Sequence, residues 1–507
     1  MKHHKILDWL QKYPWLCLVL LAIPSAAYAA QSEPTGRVLG AIDAVFANLV
    51  VGLSQVLFFS IGGMPFIVLW LIVGAVFFTL RMGFINLRAF NHAIAVVRGH
   101  YDDPTETGEV THFQALSAAL SATVGLGNIA GVAIAIQTGG PGAVFWMTVV
   151  GFFGMSSKFA ECTLAQMYRR VLPDGRISGG PMQYLWRGLA EKGLRPLGKI
   201  LAGVFCVFCI GGSFGGGNMF QANQSYAGIA GVLPFFQDRS WLYGLILACL
   251  VALVIIGGIR RIGAVAEILV PGMCLIYFLA ALWILLINFA DIPNAIATII
   301  REAFAPQAAV VGGFVGVLAT GVRRATFDSE AGVGSAPIAH AAARTEEPIR
   351  EGIVALLEPF IDTIVVSNMT ALAIVTTGAY KTTTTDDGIQ LTFNAFSTGI
   401  PWFPFLLALA VFLFAFSTIL SWGYYGERSW TYLFGERSMR AYQAIYVIFV
   451  FIGAVVNLKS VVDFSDMMIL SMAFPNLLGC YLLSGKVATA LGDYMQRLQT
   501  GKMPVYK

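Results

Sequence analysis

Runs of about 20 apolar residues recur along nearly the whole chain, and this feature decides most of what it can fold into. A run of that length crosses the hydrocarbon layer as one helix. Inside lipid every backbone N–H and C=O must be bonded within the protein, which leaves helices or closed barrels. The two-residue alternation of barrel strands is not evident. Asp, Glu, Lys and Arg make up 12% of the 507 residues and hydrophobic residues 57%, whereas a soluble domain carries about 25% charged residues. The expected class is therefore an all-α polytopic membrane protein that meets a lipid bilayer. A net charge of +4 gives no reason to expect nucleic acid, because the basic residues lie in short loops, where they set membrane orientation.

The first firm span is 64–81. Further spans are expected at 113–137, 142–167, 198–224, 241–258, 263–288, 308–338, 353–379, 402–425, 441–458 and 464–484, about eleven in all. Arg81, Arg88 and Arg98 follow the first; Arg169, Arg170, Arg176 and Arg187 the third; Arg260 and Arg261 the fifth; Arg428, Arg437 and Arg440 the ninth; Lys486 and Arg497 the last. With the N-terminus outside, all these loops fall on the cytoplasmic side. Residues 1–30 combine a basic head, a short apolar core and an A-x-A-like end at Ala27–Ala29. They read as a signal peptide of a bacterial inner-membrane protein, the other reading being an uncleaved first helix. Residues 31–62, interrupted by Asp43, Asn48 and Ser54, read as a peripheral segment.

Inside the second span stands "SATVGLGN", residues 121–128, which weakens a helix where a membrane span wants a strong one. The seventh span carries "TFDSEAGVGSAPIAH", with Gly332, Gly334 and Pro337. Setting the first span aside, ten remain, and each interruption opens a set of five. Glycine-broken helices in matching positions of two halves point to an inverted-repeat transporter. The expected divisions are 63–111 for an extra helix and cytoplasmic loop, 112–290 and 291–485 for two five-helix repeats, and 486–507 for a cytoplasmic tail. Residue-level similarity between the halves is not visible, so the repeat rests on placement.

An unwound turn frees N–H groups that suit a carboxylate and carbonyls that suit a dehydrated Na⁺. Ser121, Thr123 and Asn128 lie at the first break, Asp328, Ser329 and Glu330 at the second, and "FAFSTILSWGYYGE" adds Ser417, Thr418 and Ser421. Thr418 and Trp422 share a helix face, and a Trp beside a hydroxyl could cap a small pocket. Each item has a packing reading beside it: glycines serve close helix contacts, and membrane Ser and Thr bond back to their own helix. Glu161, Asp362, Arg323 and Arg324 are charges within spans, which default to functional or paired roles, although the arginine pair also reads as a plain helix end. His112 and His340 read as structural. Cys206 and Cys209 read as packing residues, with no His or second Cys pair to complete a metal site. No enzyme motif is present, so an enzyme is not expected.

From "TVGLGNIAGVAIAIQTGGPGAVFWM" onward, through "KFAE", "GNMFQAN", "EAGVGSAPIAHAAA", "FIDTIVV" and "FAFSTILSWGYYGE", the chain resembles the alanine or glycine:cation symporter family, the sodium:alanine symporters, over roughly residues 55–490. The resemblance implies Na⁺-coupled uptake of small neutral amino acids on a LeuT-type 5+5 fold with one extra N-terminal helix, a monomer being sufficient. It implies Na⁺ ligands at Ser121, Val124, Asn128, Ser417 and Thr418. It places substrate at Thr123, Gly125, Leu126, Gly127, Glu330, Gly332, Gly334, Thr418 and Trp422. Glu161 would support the second break, and Asp362 would be a structural or gating carboxylate. Two departures stand out. The family usually reads "TGN" at Leu126–Asn128, and "FSNEAG" where this chain has "FDSEAG". The extra carboxylate of Asp328 opens the alternatives of another solute or of proton coupling. A channel would need a continuous pore, and a signalling receptor a soluble domain; neither is evident.

Overall fold

The computed structural model describes residues 59–506 apart from 62, 306–311, 383–387, 399–402 and 457, and only the backbone of 458–461. The expected signal peptide and nearly all of the peripheral segment lie outside the described residues.

Each apolar stretch named above is helical over most of its described residues. In chain order the helices are α1 (Phe66–Arg81), α2 (Phe90–Val97), α3 (His112–Thr123), α4 (Gly127–Gly139), α5 (Gly142–Tyr168), α6 (Pro181–Glu191), α7 (Arg195–Val232), α8 (Ser240–Ile255), α9 (Gly258–Ile287), α10 (Ile292–Phe304), α11 (Gly313–Ser329), α12 (Pro337–His340), α13 (Pro348–Thr377), α14 (Gly388–Ser397), α15 (Phe403–Phe434), α16 (Met439–Val455) and α17 (Leu458–Gln499). Among the described residues seven helices are long and apolar enough to cross a membrane, or eight with the bent pair α3–α4 taken as one; α1 and α8 are apolar but shorter. The only strands described are two-residue antiparallel pairs, Ser60–Ile61 with Met64–Pro65 and Arg170–Val171 with Ile177–Ser178. The molecule is an all-helical, multi-pass membrane protein.

Several boundaries differ from the sequence reading. The seventh stretch stops at Ser329 rather than 338, because Glu330, Gly332 and Gly334 adopt left-handed backbone (φ 53°, 85° and 90°). The ninth continues to Phe434 and the last to Gln499, since Lys, Arg and Glu are good helix formers beyond the apolar run. Helix α14, buried along most of its length, lies between the eighth and ninth expected spans, where the sequence reading has no helix.

Helix α5 is the central post. Glycines on it let other elements approach closely: a methyl at Gly142 would lie 2.3 Å from the Glu302 backbone of α10, and one at Gly154 2.9 Å from Ala331. Helix α1 packs on α5 and α17, with the Trp70 indole N–H donating to the Ala473 carbonyl (3.3 Å). The short helices α6 and α14 occupy corresponding places, each between the second and third long helices of its set.

Candidate functional site

The first break is built from its glycines outward. Thr111 caps α3 in a reciprocal box with Gln114, so the helix starts firmly and fails at its other end. Val124 leaves helical geometry (ψ 84°), and α4 resumes at a bend of 46° with a π-helical turn over Gly127–Gly131. The freed groups find side chains. The Gly125 N–H donates to Asn128 Oδ1 (2.9 Å) and the Leu126 N–H to Gln221 Oε1 (3.2 Å). Helix α15 presses on the turn: a Cβ at Gly125 would stand 2.4 Å from Thr418 Oγ1.

Thr418 is buried and its Oγ1 has no hydrogen-bond partner. Beside it, Ser421 donates to Ser121 Oγ (3.1 Å), and Ser121 donates to the Ser417 carbonyl (2.7 Å). The Ser417 and Thr123 hydroxyls turn back onto their own helices, to Phe414 O (2.9 Å) and Ala119 O (3.4 Å). The structure thus brings Ser121, Ser417 and Thr418 together beside the break and leaves one oxygen among them open.

At the second break Glu330 is the hub. The Trp422 indole N–H donates to Oε1 (2.8 Å), and the Ser335 hydroxyl donates to Oε2. Trp422 is 2% exposed and lies against Gly217, where a Cβ would meet its ring at 2.2 Å. Asn476 donates both to the Gly332 carbonyl (2.8 Å) and to Glu161 Oε1 (3.0 Å), and Tyr184 donates to Asn476. Glu161 therefore meets Gly332 through an amide. Arg324 is no helix end: it is buried on α11, paired with Asp466 of α17.

Between the breaks lies an acidic pair. Asp328 Oδ2 accepts from Ser367 (2.6 Å) and Thr363 (3.2 Å), while Asp362 Oδ1 accepts from the Asn128 amide (2.7 Å). The π-helical stretch Phe360–Ser367 of α13 carries Asp362, Thr363 and Ser367. Asp328 Oδ1 has no partner, and a Cβ at Gly127 would lie 3.2 Å from it. Two buried, unpartnered oxygens, Thr418 Oγ1 and Asp328 Oδ1, thus flank the unwound turn. Both are buried oxygens free to accept a bond from, or to contact, a bound species. The Asn128 oxygen, expected to face Na⁺, is here held by the Gly125 N–H.

Sequence reasoning missed Gln221, Ser367, Asn476 and Gly217. The available signal for Gly217 was the run "GGGNM", which forms a π-helical turn inside α7; the others are single polar residues in apolar runs.

Comparison with known proteins gives the chain a family. A model of the sodium:alanine symporter family matches residues 46–507. The chain is 41% identical over 431 residues to the sodium/alanine symporter AgcS of Methanococcus maripaludis, covering 84% of this chain and 93% of that one. It is 40% identical over 448 residues to a transporter of Haemophilus influenzae (87% and 95% covered). It is 37% identical over 443 residues to the amino-acid carrier protein AlsT of Bacillus subtilis (86% and 91% covered). With the match spanning both broken helices and every long helix between them, the chain belongs to the sodium:alanine symporter family.

Proposed function

We propose that the protein is a secondary transporter of the bacterial inner membrane that carries a small neutral amino acid, alanine or glycine, into the cytoplasm together with Na⁺. The fold in this reading is the LeuT-type 5+5 inverted repeat with one extra N-terminal helix. The observation that carries it is the pair of facing breaks with open oxygens between them. Backbone groups withheld by an intact helix are the ones a zwitterion and a dehydrated ion require.

In this reading Na⁺ sits beside Thr418 with Ser121, Ser417 and the Val124 carbonyl, while Asn128, with Thr123, belongs to the second type of Na⁺ site that not every LeuT-type transporter keeps. The substrate carboxylate meets the turn at Thr123, Gly125, Leu126 and Gly127, taking the Gly125 and Leu126 N–H groups over from Asn128 and Gln221. Its ammonium faces Glu330 and the carbonyls near Gly332 and Gly334, and Trp422 closes the pocket over the side chain. Na⁺ favours the outward-facing state, the amino acid follows, and rocking of the bundle exposes both to the cytoplasm. Coupling is reciprocal: if Na⁺ tightens amino-acid binding, the amino acid tightens Na⁺ by the same factor. The bare Oδ1 of Asp328 favours one second reading, in which protons replace Na⁺.

Labelled alanine uptake into proteoliposomes tests the scheme. Uptake that collapses without an inward Na⁺ gradient supports it. Uptake that ignores Na⁺ and follows a proton gradient moves the coupling to Asp328 or Glu330. Absence of alanine and glycine uptake under both gradients rejects the substrate.

A further inference from the structure

Leading away from this site, five fully buried ionisable side chains form a line that the transport scheme leaves unused; its inner end, Lys158, interacts electrostatically with Glu330 and Glu161. His112 opens α3, the first half of the first broken helix, and its Nδ1 is bonded to Glu351 Oε2. His340 closes α12, which follows the second break, and its Nδ1 lies 2.6 Å from Oε1 of the same glutamate. Each oxygen of one buried carboxylate therefore holds a histidine from a different broken helix. From His340 the line continues inward, Nε2 standing 3.5 Å from Glu358 Oε2 and Glu358 Oε1 3.1 Å from Lys158 Nζ on α5. From His112 it continues outward, Nε2 standing 3.8 Å from Asp102, whose side chain is 36% exposed.

The unsatisfied atoms fall into a pattern. His112 Nε2 and Asp102 Oδ1 have no hydrogen-bond partner, and neither do His340 Nε2 and Glu358 Oε2. These are two facing pairs of a ring nitrogen and a carboxylate oxygen. A neutral ring serves Glu351 through Nδ1–H alone. A ring protonated on both nitrogens also turns an N–H toward the waiting oxygen, so each proton adds an ion pair to the line.

We infer that Glu351, with His112 and His340, is an inner clasp that holds together the cytoplasmic ends of both broken helices and is tightened by protons from the cytoplasm. Asp102 follows Arg81, Arg88 and Arg98, the basic loop that marks the cytoplasmic side. The other charged or titratable groups within reach are Glu106 on that loop, Cys162 on α5 and Arg169 just past it, Arg350 beside Glu351, and, around Glu358 and Lys158, Glu161, Glu330 and Asp362. Arg350 is engaged by Glu106, and Arg169 by backbone carbonyls, so the histidines are the exchangeable partners of Glu351. A buried carboxylate stays charged only while paired, so parting the helix ends requires its protonation or its hydration. Glu351 acts as a positioning residue, and the inference rests on the transport reading above.

Right-side-out proteoliposomes with a fixed external pH, a fixed Na⁺ gradient and a clamped membrane potential test it, the lumen being stepped from mildly alkaline to mildly acidic. Wild-type alanine uptake is expected to slow by about five-fold or more at the acidic end. In the double variant His112→Gln/His340→Gln, which keeps two N–H groups for Glu351 but gains no proton, the dependence on lumen pH is expected to vanish, and each single variant is expected to weaken it. A cysteine at Ala115, buried on α3, reports the clasp without transport in a background whose native cysteines are replaced. Its labelling by an impermeant maleimide from the cytoplasmic face, normalised to the labelling of the unfolded chain at the same pH because the thiolate is the reacting form, should rise in Glu351→Gln and in alkaline buffer. Uptake indifferent to lumen pH, or a double histidine variant that keeps the dependence, would overturn the clasp. If wild type shows no Na⁺-driven uptake the transport reading fails, and labelling alone then decides: Ala115→Cys labelling unchanged by pH rejects the clasp.

Discussion

Gly217 has no room for even a methyl group, because the Trp422 ring occupies the space where a Cβ would go. Gly217→Ala is expected to push Trp422 off Glu330 and to reduce alanine uptake at least ten-fold while the protein still inserts; uptake and indole fluorescence read both effects. Trp422→Phe keeps the ring but takes a donor from Glu330 Oε1. It should lower stability in detergent by about 1–3 kcal/mol, the cost of leaving a buried acceptor without its partner, measured by thermal unfolding. Thr418→Ala removes an open oxygen without leaving another group unsatisfied. Its expected signature is a raised Na⁺ requirement with the melting temperature in Na⁺-free buffer nearly unchanged. The residue scale was the least legible in the sequence. Thr418 and Trp422 stood out as a hydroxyl and an aromatic one turn apart. Asn476 and Gln221 did not, because a lone amide in an apolar run gives no hint of which distant carbonyl or N–H it will meet.

At the scale of elements the breaks were readable, because glycine weakens a helix wherever it falls. The two breaks nevertheless differ in kind. The first is a bend whose spare N–H groups are taken by Asn128 and Gln221. The second rests on left-handed backbone at Glu330, Gly332 and Gly334. Gly334→Ala there would force a side chain into a left-handed conformation, about 1–2 kcal/mol, with its Cβ 2.7 Å from the Asn476 side chain. A lowered melting temperature together with lost uptake is the expected outcome. The π-helical turns in α7 and α13 left no periodic trace, since one extra residue per turn looks like a small slip in an apolar pattern. Helix α14 escaped for a different reason: its contact is with another backbone, the Thr392 hydroxyl donating to the Ile129 carbonyl (2.9 Å) and Gly388 lying against Ala130.

For the whole molecule, apolar run length and charge scarcity dictated a multi-pass helical bundle, and the structure agrees. What they did not dictate is how buried charges pair across it, because ion pairs such as Arg324–Asp466 and Lys158–Glu358 join residues far apart in sequence. A ligand that binds only the folded bundle stabilises it by mass action. Na⁺ at a hundred times its dissociation constant should add about 2.7 kcal/mol, seen as a rise in melting temperature in NaCl over choline chloride. Alanine should add to that rise in NaCl, and add less in choline chloride. One helix also gives the molecule a mechanical property. Helix α17 has 42 residues, about 63 Å at 1.5 Å per residue, and so outruns a bilayer of about 45 Å. Asn476 near its middle grips Gly332, Pro475 beside it is a natural pivot, and Arg497 at its far end holds Glu347 just past the second break. It is a lever with its fulcrum at the site. A tilt of ten degrees there would swing the far end, about 30 Å away, by about 5 Å, so a spin label at Gln496 would read small motions at the break at several times their size.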